Sequence, residues 1–311
     1  MSPLFLSTPR LSRLPPAGWR SPAPASLSPP VLMKPIRIIF DHASWSPSRD
    51  HFLALLQRIQ PEERDRVMKF VFKKDVRPAM IGRALLRYAI SDVTGIENPE
   101  IQLTRSQKGK PLCDQLPPGV DINISHQGSY CVLACDACSK VGIDIMKIQT
   151  HARDLDQYFS LMKRNFSPSE WAYIKSVSSE RDRLSRFMRL WSLKESYVKA
   201  EGFGITVDLE KISFSCRSDC LTDRLTRDTE LSVDGKSLTD WTFEETLIDQ
   251  DHCVAVALNH DTRSRDQQAS AFRKVTANDL VQALRPLTDA SLDELIPKWS
   301  EYCSKSDRPG S

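Results

Sequence analysis

Two charged residues, Glu195 and Lys199, lie one helical turn apart in a stretch whose other residues are largely apolar. At about 100° per residue, Glu195 projects into the middle of an apolar arc and Lys199 to its edge. The arc contains Leu184, Phe187, Met188, Trp191 and Val198. A carboxylate is seldom buried unless it is paired, hydrogen-bonded or bound to a metal. The pattern therefore predicts such a partner for Glu195, with an ordinary exposed Glu/Lys pair as the alternative.

A second carboxylate, Asp144, lies within an apolar run that predicts a β-strand. Alternation would place Ile143 and Ile145 on one face of that strand and Asp144 on the other. Gly142 permits another backbone to approach closely, and acids are poor strand formers unless they have a partner. Together with Glu195, Asp144 would supply oxygen ligands of the kind that Mg²⁺ takes alongside waters and substrate phosphates. A strand-end acid in solvent is the alternative.

A glycine turn at 105–111 gathers positive charge. Three cations surround Gly109, namely Arg105, Lys108 and Lys110. Lysines bind phosphate as point charges, and arginine binds it as a bidentate fork. Because the chain contains no Gly-x4-Gly-Lys-Ser/Thr phosphate-binding loop, an anion here would be held by these side chains. A solvated basic loop is the alternative.

The predicted strand 120–124 runs into small and polar residues that could face an anion. They are Asn123, Ile124, Ser125, His126 and Gln127, followed by a glycine. Such a run can offer backbone N–H donors and an imidazole. Further positive charge lies on two predicted helices, at Arg66 and at Arg83 and Arg87. Together these groups predict a site for a polyanionic small molecule and a divalent cation.

Charge and composition exclude several classes of protein. The net charge is +3, and residues 1–40 contain five basic residues and no acid, so the remainder carries −2. A nuclease would instead need a broad basic stripe along its nucleic-acid path, and we expect no nucleic-acid partner. We expect no membrane association either, because no apolar run is long enough to span a bilayer. Eight cysteines in 311 residues do not form a disulfide scaffold, which suits a reducing compartment.

The order of predicted elements indicates an α+β fold with two similar halves, 36–145 and 146–260, each with helices followed by strands. Residues 1–35 hold nine of the twenty prolines and are expected to be a disordered leader, with Met33 as an alternative start. The tail 261–311 is polar, and we expect it to pack loosely around weak helices at 277–284 and 292–302. Helices are predicted at 48–59, 61–72, 78–93, 155–163, 168–175 and 181–200. Strands are predicted at 36–40, 101–103, 120–124, 130–135, 141–145, 211–215, 230–233, 241–247 and 253–258.

Four motifs, in this order and spacing, resemble those of the Sfp-type 4′-phosphopantetheinyl transferases. They are Gly109-Lys-Pro, Asn123-Ile-Ser-His126, Gly142-Ile-Asp-Ile and Trp191-Ser-Leu-Lys-Glu-Ser-Tyr-Val-Lys199. The resemblance covers roughly residues 36–260. It implies a pseudo-twofold α+β protein that binds coenzyme A between its halves and moves the phosphopantetheine arm to a carrier-protein serine, leaving 3′,5′-ADP.

The resemblance also implies a role for each matching residue. Asp144 and Glu195 would hold Mg²⁺ against the pyrophosphate, Glu195 would be the base for the carrier serine, and Lys199 would bind a phosphate. The coenzyme A pocket would be lined by Arg66, Arg105, Lys108, Gly109, Lys110, Asn123, Ile124, Ser125 and His126. The expected partners are carrier domains of fatty acid synthase, of an aminoadipate reductase-like enzyme and of a formyltetrahydrofolate dehydrogenase-like enzyme. A monomer in the cytoplasm is expected, or a mitochondrial protein if residues 1–32 act as a transit peptide.

One position departs from many bacterial members of that family, which carry a second acid two residues after the first. Met146 stands there, and a thioether is a poor ligand for Mg²⁺. The amide oxygen of Gln127 or a water would then complete the metal site. Two other functions stay open, a non-catalytic module that binds coenzyme A or a carrier protein, and a metal-dependent nuclease, which the charge disfavours.

Overall fold

The computed structural model describes residues 34–106, 109–138, 140–150, 152–202, 207–259, 270–287 and 291–307. The helices are α1 Arg49–Leu56, α2 Pro61–Met68, α3 Lys73–Thr94, α4 Leu155–Leu161, α5 Pro168–Lys175, α6 Glu180–Glu201, α7 Ala277–Ala283 and α8 Leu292–Ser304. The strands are β1 Ile36–Asp41, β2 Thr104–Arg105, β3 Pro111–Leu112, β4 Asp121–Gln127, β5 Tyr130–Asp136, β6 Lys140–Lys147, β7 Ile212–Cys216, β8 Thr229–Val233, β9 Lys236–Leu238, β10 Trp241–Asp249, β11 His252–Asn259 and β12 Arg273–Lys274. The leader predicted at 1–35 lies outside the described residues except for its last two positions.

Two sheets, each carrying one long helix, form the body of the fold. The first has the strand order β12-β1-β5-β4 and the second β10-β11-β6. Helix α3 packs on β4 and β5, and α6 packs on β6 and β11; both helices have 22 residues. The neighbouring strands are antiparallel except for β1 and β12. This arrangement confirms the predicted α+β class with two similar halves.

The alternation of apolar residues along the strands explains how the sheets are stacked. Alternate residues of β1 and β5 face the helices of the first half, and the others, including Ile39 and Val132, join Ile143 and Val256 in a core shared by the two sheets. A buried Arg37 crosses this core to Glu244 of the second sheet at 2.9 Å. The two sheets are therefore packed face to face on apolar residues with one buried ion pair.

Strands β4 and β6 meet along a seam where side chains replace the missing ladder of backbone hydrogen bonds. Every second side chain of β4 points at the backbone of β6. Three of them accept a hydrogen bond from a β6 N–H group: Asp121 from Val141, Asn123 from Ile143 and Gln127 from Lys147. The fourth, Ser125, instead donates its hydroxyl to Asp144 Oδ1 of β6 at 2.8 Å.

The predicted boundary between the halves is wrong by one strand. The range 36–145 assigned most of β6 to the first half, but β6 pairs along its whole length with β11, with Ile145 opposite Val254. Its hydrogen-bonding partner therefore puts β6 in the second sheet. The sequence could not show this, because an apolar strand pattern does not identify the strand with which it pairs.

Two other elements also differ from the sequence predictions. Helix α3 begins at Lys73, five residues before Pro78, so this proline lies inside the helix rather than opening it. The strand predicted at 101–103 lies instead at Thr104–Arg105, after a 3-10 helix at Asn98–Glu100.

The tail packs firmly on the first half, so the expectation of loose packing is wrong. Helices α7 and α8 lie near the predicted positions, and both contact α1. Leu280, Leu295 and Tyr302 are buried, and the Tyr302 ring stacks on Phe52 with centroids 4.6 Å apart. In each helix the apolar residues recur at helical intervals and so form one apolar face. The low mean hydropathy of the tail does not reveal such a face. In the described ranges no helix is long and apolar enough to cross a membrane.

Candidate active site

Helix α6 carries Glu195 and Lys199 on a half-buried strip of its C-terminal half. The helix begins after the Ser179 cap, whose side chain accepts from the Asp182 N–H, and ends at Gly202 with φ 70°, a conformation that favours glycine. Most residues on its other sides are buried, among them Phe187, Leu193 and Ser196. The predicted apolar arc is thus mostly in the core, and the charged pair faces a cavity rather than bulk solvent.

Gly142 allows α6 to lie directly against β6. A Cβ built on this glycine would overlap the carbonyl oxygen of Ser196 and would lie 2.7 Å from the Ala200 nitrogen. Asp144 is two residues further along the same face of β6, while Ile143 and Ile145 lie in the core shared by the sheets, as predicted. The close approach of strand and helix therefore brings Asp144 to the side chains of α6.

Lys199, Asp144 and Ser125 form a compact polar cluster at the seam between the sheets. The Lys199 ammonium lies 2.5 Å from Asp144 Oδ1. It also donates to Ser125 Oγ at 2.8 Å and to the Ile143 carbonyl oxygen at 3.3 Å. The Ser125 hydroxyl in turn donates to Asp144 Oδ1 at 2.8 Å. The strand carboxylate has therefore found a cation from the helix and a hydroxyl from the other sheet.

The second oxygen of Asp144 is left without a partner. Asp144 Oδ2 is buried and accepts no hydrogen bond, which is costly for a carboxylate unless something else binds there. Burial and then the negative charge of Asp144 raise the pKa of Glu195, although Lys199 acts in the opposite direction. A buried carboxylate with a bare oxygen, whose charge acts on a second carboxylate, forms with it a donor set suited to a divalent cation. In the part of the chain that the structure describes, no group of three acidic, histidine or cysteine residues could hold a metal.

A cavity of about 590 Å³ opens beside Glu195 and Lys199. It lies between the two halves, with β3 and β4 on one side and α6 on the other. Six of the predicted site residues line it: Gly109, Lys110, Asn123, Ile124, Glu195 and Lys199. Apolar side chains such as Leu86, Trp191 and Val198 form much of the remaining wall. The size is that of a small-molecule or cofactor site.

Arg66 and Arg105 do not line the cavity but converge on a carboxylate that the sequence interpretation missed. Glu63 accepts two hydrogen bonds from Arg105, both at 2.7 Å, and one from Arg83 at 2.8 Å. Arg66 lies 3.8 Å from the same carboxylate and is more than half exposed. Burial raises the pKa of Glu63, but the arginine hydrogen bonds outweigh it and lower that pKa to about 2. The cluster is still net positive, and Arg105 also donates to the Gly109 carbonyl oxygen at 2.8 Å.

Two other predicted residues are not brought to the carboxylate pair. The amide oxygen of Gln127 accepts from the Lys147 N–H, three residues beyond Asp144 and so about 10 Å along the strand. His126 is exposed on β4, on the other side of the strand from Ser125. Lys108 lies outside the described residues. Gln127 as a third metal ligand stays a prediction that this geometry does not support.

Lys194, in the middle of the helical motif, holds the wall of the cavity in place. Its ammonium group is fully buried, lies 2.9 Å from Glu170 Oε2 and donates to the Leu209 carbonyl oxygen at 2.8 Å. Leu209 is itself a cavity residue. A buried lysine needs partners of this kind, so a lysine within an apolar helical motif indicates that a partner exists. Spacing along the sequence could not identify the distant Glu170 as that partner.

Comparison with known proteins decides which family uses this arrangement. A model described as 4′-phosphopantetheinyl transferase, N-terminal, matches residues 43–138. A second, described as the 4′-phosphopantetheinyl transferase superfamily, matches residues 140–257. The chain belongs to the 4′-phosphopantetheinyl transferase family. The resemblance predicted from four motifs is thereby confirmed.

Relatives of several kinds share this family membership. The mouse L-aminoadipate-semialdehyde dehydrogenase-phosphopantetheinyl transferase is 38% identical over 272 residues, covering 82% of this chain and 88% of that protein. Its human counterpart is 36% identical over 295 residues, 89% of this chain and 94% of that protein. The 4′-phosphopantetheinyl transferase Sfp of Bacillus subtilis is 29% identical over 187 residues, 60% of this chain and 78% of that protein. This phosphopantetheinyl transferase is therefore an enzyme that modifies carrier protein domains, with coenzyme A as its co-substrate.

Proposed function

We propose that this phosphopantetheinyl transferase depends on a divalent cation, most simply Mg²⁺, held by Asp144 and Glu195. The supporting observation is that Asp144 Oδ2 is buried without a hydrogen-bond partner. The charge of Asp144 also contributes, after burial, to the raised pKa of Glu195. Bound there, the ion would neutralise charge on the pyrophosphate of coenzyme A. With Met146 in place of a further acid, waters and the substrate's own phosphates would complete the coordination shell.

The residues of the cavity would bind and orient coenzyme A. Lys110 and Lys199 both line the cavity, where their charges suit phosphate groups. Asn123, already held by the β6 backbone, and the Gly109 turn, held by Arg105, are fixed parts of the wall. The outer cluster of Arg66 and Arg105 would add positive charge nearby, and Ser125 and His126 complete the proposed binding set.

Glu195 would take the proton from the carrier serine, directly or through a water. The serine oxygen then forms a bond to the phosphorus that bears the pantetheine arm, and the bond from that phosphorus to the leaving phosphate breaks, releasing 3′,5′-ADP. A carboxylate whose pKa is raised toward the operating pH is a better base than an ordinary one. Binding to a cation would lower that basicity, which is why a bridging water is an equal route.

The carriers would include those implied by the relatives' name, an aminoadipate-semialdehyde dehydrogenase or reductase, and carrier domains of the fatty acid synthase and formyltetrahydrofolate dehydrogenase kinds. We also propose that the enzyme is a monomer and is located in the cytoplasm. Parallel transfer assays with purified apo carrier domains would show which carriers the enzyme modifies fastest.

Incubation of an apo carrier domain with the enzyme, coenzyme A and Mg²⁺ is expected to add the mass of one phosphopantetheine arm. Chelation with EDTA should stop this gain in mass, because it removes the cation that the carboxylate pair is proposed to hold. Added Mg²⁺ should restore the gain. Intact-mass spectrometry measures both. Undiminished transfer in EDTA would contradict the metal dependence, and no transfer under any condition would favour a binding module.

Lys110→Ala is expected to weaken coenzyme A binding about tenfold or more while the fold is retained, since a charge-assisted contact to a phosphate is worth about 1.5–3 kcal/mol. The lysine now lies 3.3 Å from Asp121 and is partly exposed, so its removal costs little stability. Titration calorimetry measures the affinity. Lys140→Ala, which removes the same charge outside the cavity, is the control, and equal affinities in the two variants would refute the assignment.

A further inference from the structure

The Lys199 ammonium has no donor left for a ligand. An ammonium group carries three N–H donors, and those of Lys199 go to Asp144 Oδ1, Ser125 Oγ and the Ile143 carbonyl oxygen. The side chain lines the cavity and is 30% exposed. Binding a phosphate therefore requires Lys199 to give up at least one of these contacts.

Asp144 cannot hold this ammonium and a divalent cation without cost. The carboxylate is 8% exposed, so water does little to screen one charge from the other. Its Oδ1 already takes the ammonium and the Ser125 hydroxyl, and its bare Oδ2 belongs to the same small group. A divalent ion at Oδ2 would stand within a few ångströms of the ammonium and be repelled by it.

We infer that Lys199 is the resident counter-ion of Asp144, which a divalent cation has to displace, and that coenzyme A assists this exchange by drawing Lys199 onto a phosphate. The inference rests on the metal site proposed above. The free enzyme then binds divalent ions weakly, and the metal and coenzyme A enter cooperatively. The ammonium holds the buried carboxylate in position until both arrive.

Mn²⁺, followed by electron paramagnetic resonance, is the probe for the enzyme without coenzyme A. Lys199→Met removes the competing charge and is expected to raise Mn²⁺ affinity on the order of tenfold. Lys199→Gln, which keeps a hydrogen-bond donor toward Asp144, should do the same and remains informative if the methionine variant folds poorly. Lys140→Met removes a lysine from the strand that carries Asp144 and breaks its 2.6 Å ion pair with Glu201, and it should leave Mn²⁺ affinity unchanged.

The same titrations with saturating coenzyme A test the exchange itself. Coenzyme A should raise Mn²⁺ affinity by a larger factor in the wild type than in Lys199→Gln, because any metal binding by the phosphates alone is common to both. Equal or weaker Mn²⁺ binding by the Lys199 variants, with the coenzyme A-loaded wild type still binding, would overturn the inference and leave the metal site standing. Failure of the loaded wild type to bind Mn²⁺ would overturn the metal site and the inference together.

Discussion

Glu195→Gln is expected to lower the rate of phosphopantetheine transfer by a factor of about 10² to 10⁴, the usual contribution of a positioned general base. The amide keeps the size of the side chain but can neither accept the serine proton nor supply a negative ligand beside Asp144. Coenzyme A affinity measured in EDTA, where metal binding does not contribute, should change much less, because the cavity keeps Lys110, Lys199 and its apolar wall.

Single-turnover transfer, followed by intact mass of the carrier, and calorimetric titration of coenzyme A separate the two effects. The matched control is Glu201→Gln, on the same helix and with the same change of charge, whose carboxylate pairs with Lys140 outside the cavity. Transfer at the wild-type rate by the Glu195 variant would remove it from the reaction. A parallel loss of coenzyme A binding would instead make it a binding residue.

The stability of the Glu195 variant gives a further sign of the same chemistry. Burial and the charge of Asp144 both disfavour ionised Glu195 in the folded enzyme, so replacement by a neutral amide relieves repulsion when no cation is bound. We expect the variant to unfold at the same temperature as the wild type or above it in EDTA. A stabilised but inactive variant is characteristic of a residue kept for function.

The residues that could be predicted from the sequence are those whose position follows from local periodicity. Alternation along β6 placed Asp144 on one face of the strand and Ile143 and Ile145 on the other. Helical spacing placed Glu195 and Lys199 on the same side of α6. The face of the strand or helix on which each residue lies could be predicted because it depends only on neighbours a few residues away. The family, and with it the fold class, followed from four such motifs in order.

What the sequence could not supply was the choice of distant partners. Arg105 and Arg83 were expected near a phosphate, yet both bind Glu63, which an ordinary acidic helix start gives no reason to single out. Arg87, expected in the same basic group, is buried and donates to Asn98 at 2.6 Å. Gln127 was expected, as an alternative to water, to complete the metal site because it follows His126 directly, but its oxygen accepts from the Lys147 N–H of β6. A sequence pattern does not show whether a basic residue will bind a phosphate of the ligand or a carboxylate of the protein. The packing of α2, α3 and the seam between β4 and β6 decides between these partners.

Gly142→Ala is expected to destabilise the enzyme by about 3 kcal/mol or more, toward the upper end of the range for overpacked cores. A Cβ there would overlap the Ser196 carbonyl oxygen, and it would lie 2.7 Å from the Ala200 nitrogen and 2.9 Å from its Cβ. These atoms belong mainly to the backbone of α6, so no side chain can turn aside. For a domain of this size the melting temperature should fall by roughly 6–12 °C.

Gly82→Ala is the matched control, because it makes the same substitution where there is room. Its nearest neighbour would be the tip of Ile124 at 3.4 Å, and alanine in a helix interior is favoured over glycine by about 1 kcal/mol. The two variants should therefore shift thermal unfolding in opposite directions. Similar shifts for both would show that the contact between β6 and α6 does not limit the packing.

Gly142→Ala should lower the rate of transfer even at temperatures where the variant remains folded. Any movement that accommodates the methyl group separates α6 from β6, and Lys199 and Glu195 move away from Asp144 with it. Loss of transfer at a temperature where the variant is still folded, with coenzyme A binding weakened less, would show that the glycine sets the distance between the two carboxylates. Wild-type transfer by the folded variant would show that the site tolerates that shift. In that case the carboxylates would not need the close approach of strand and helix.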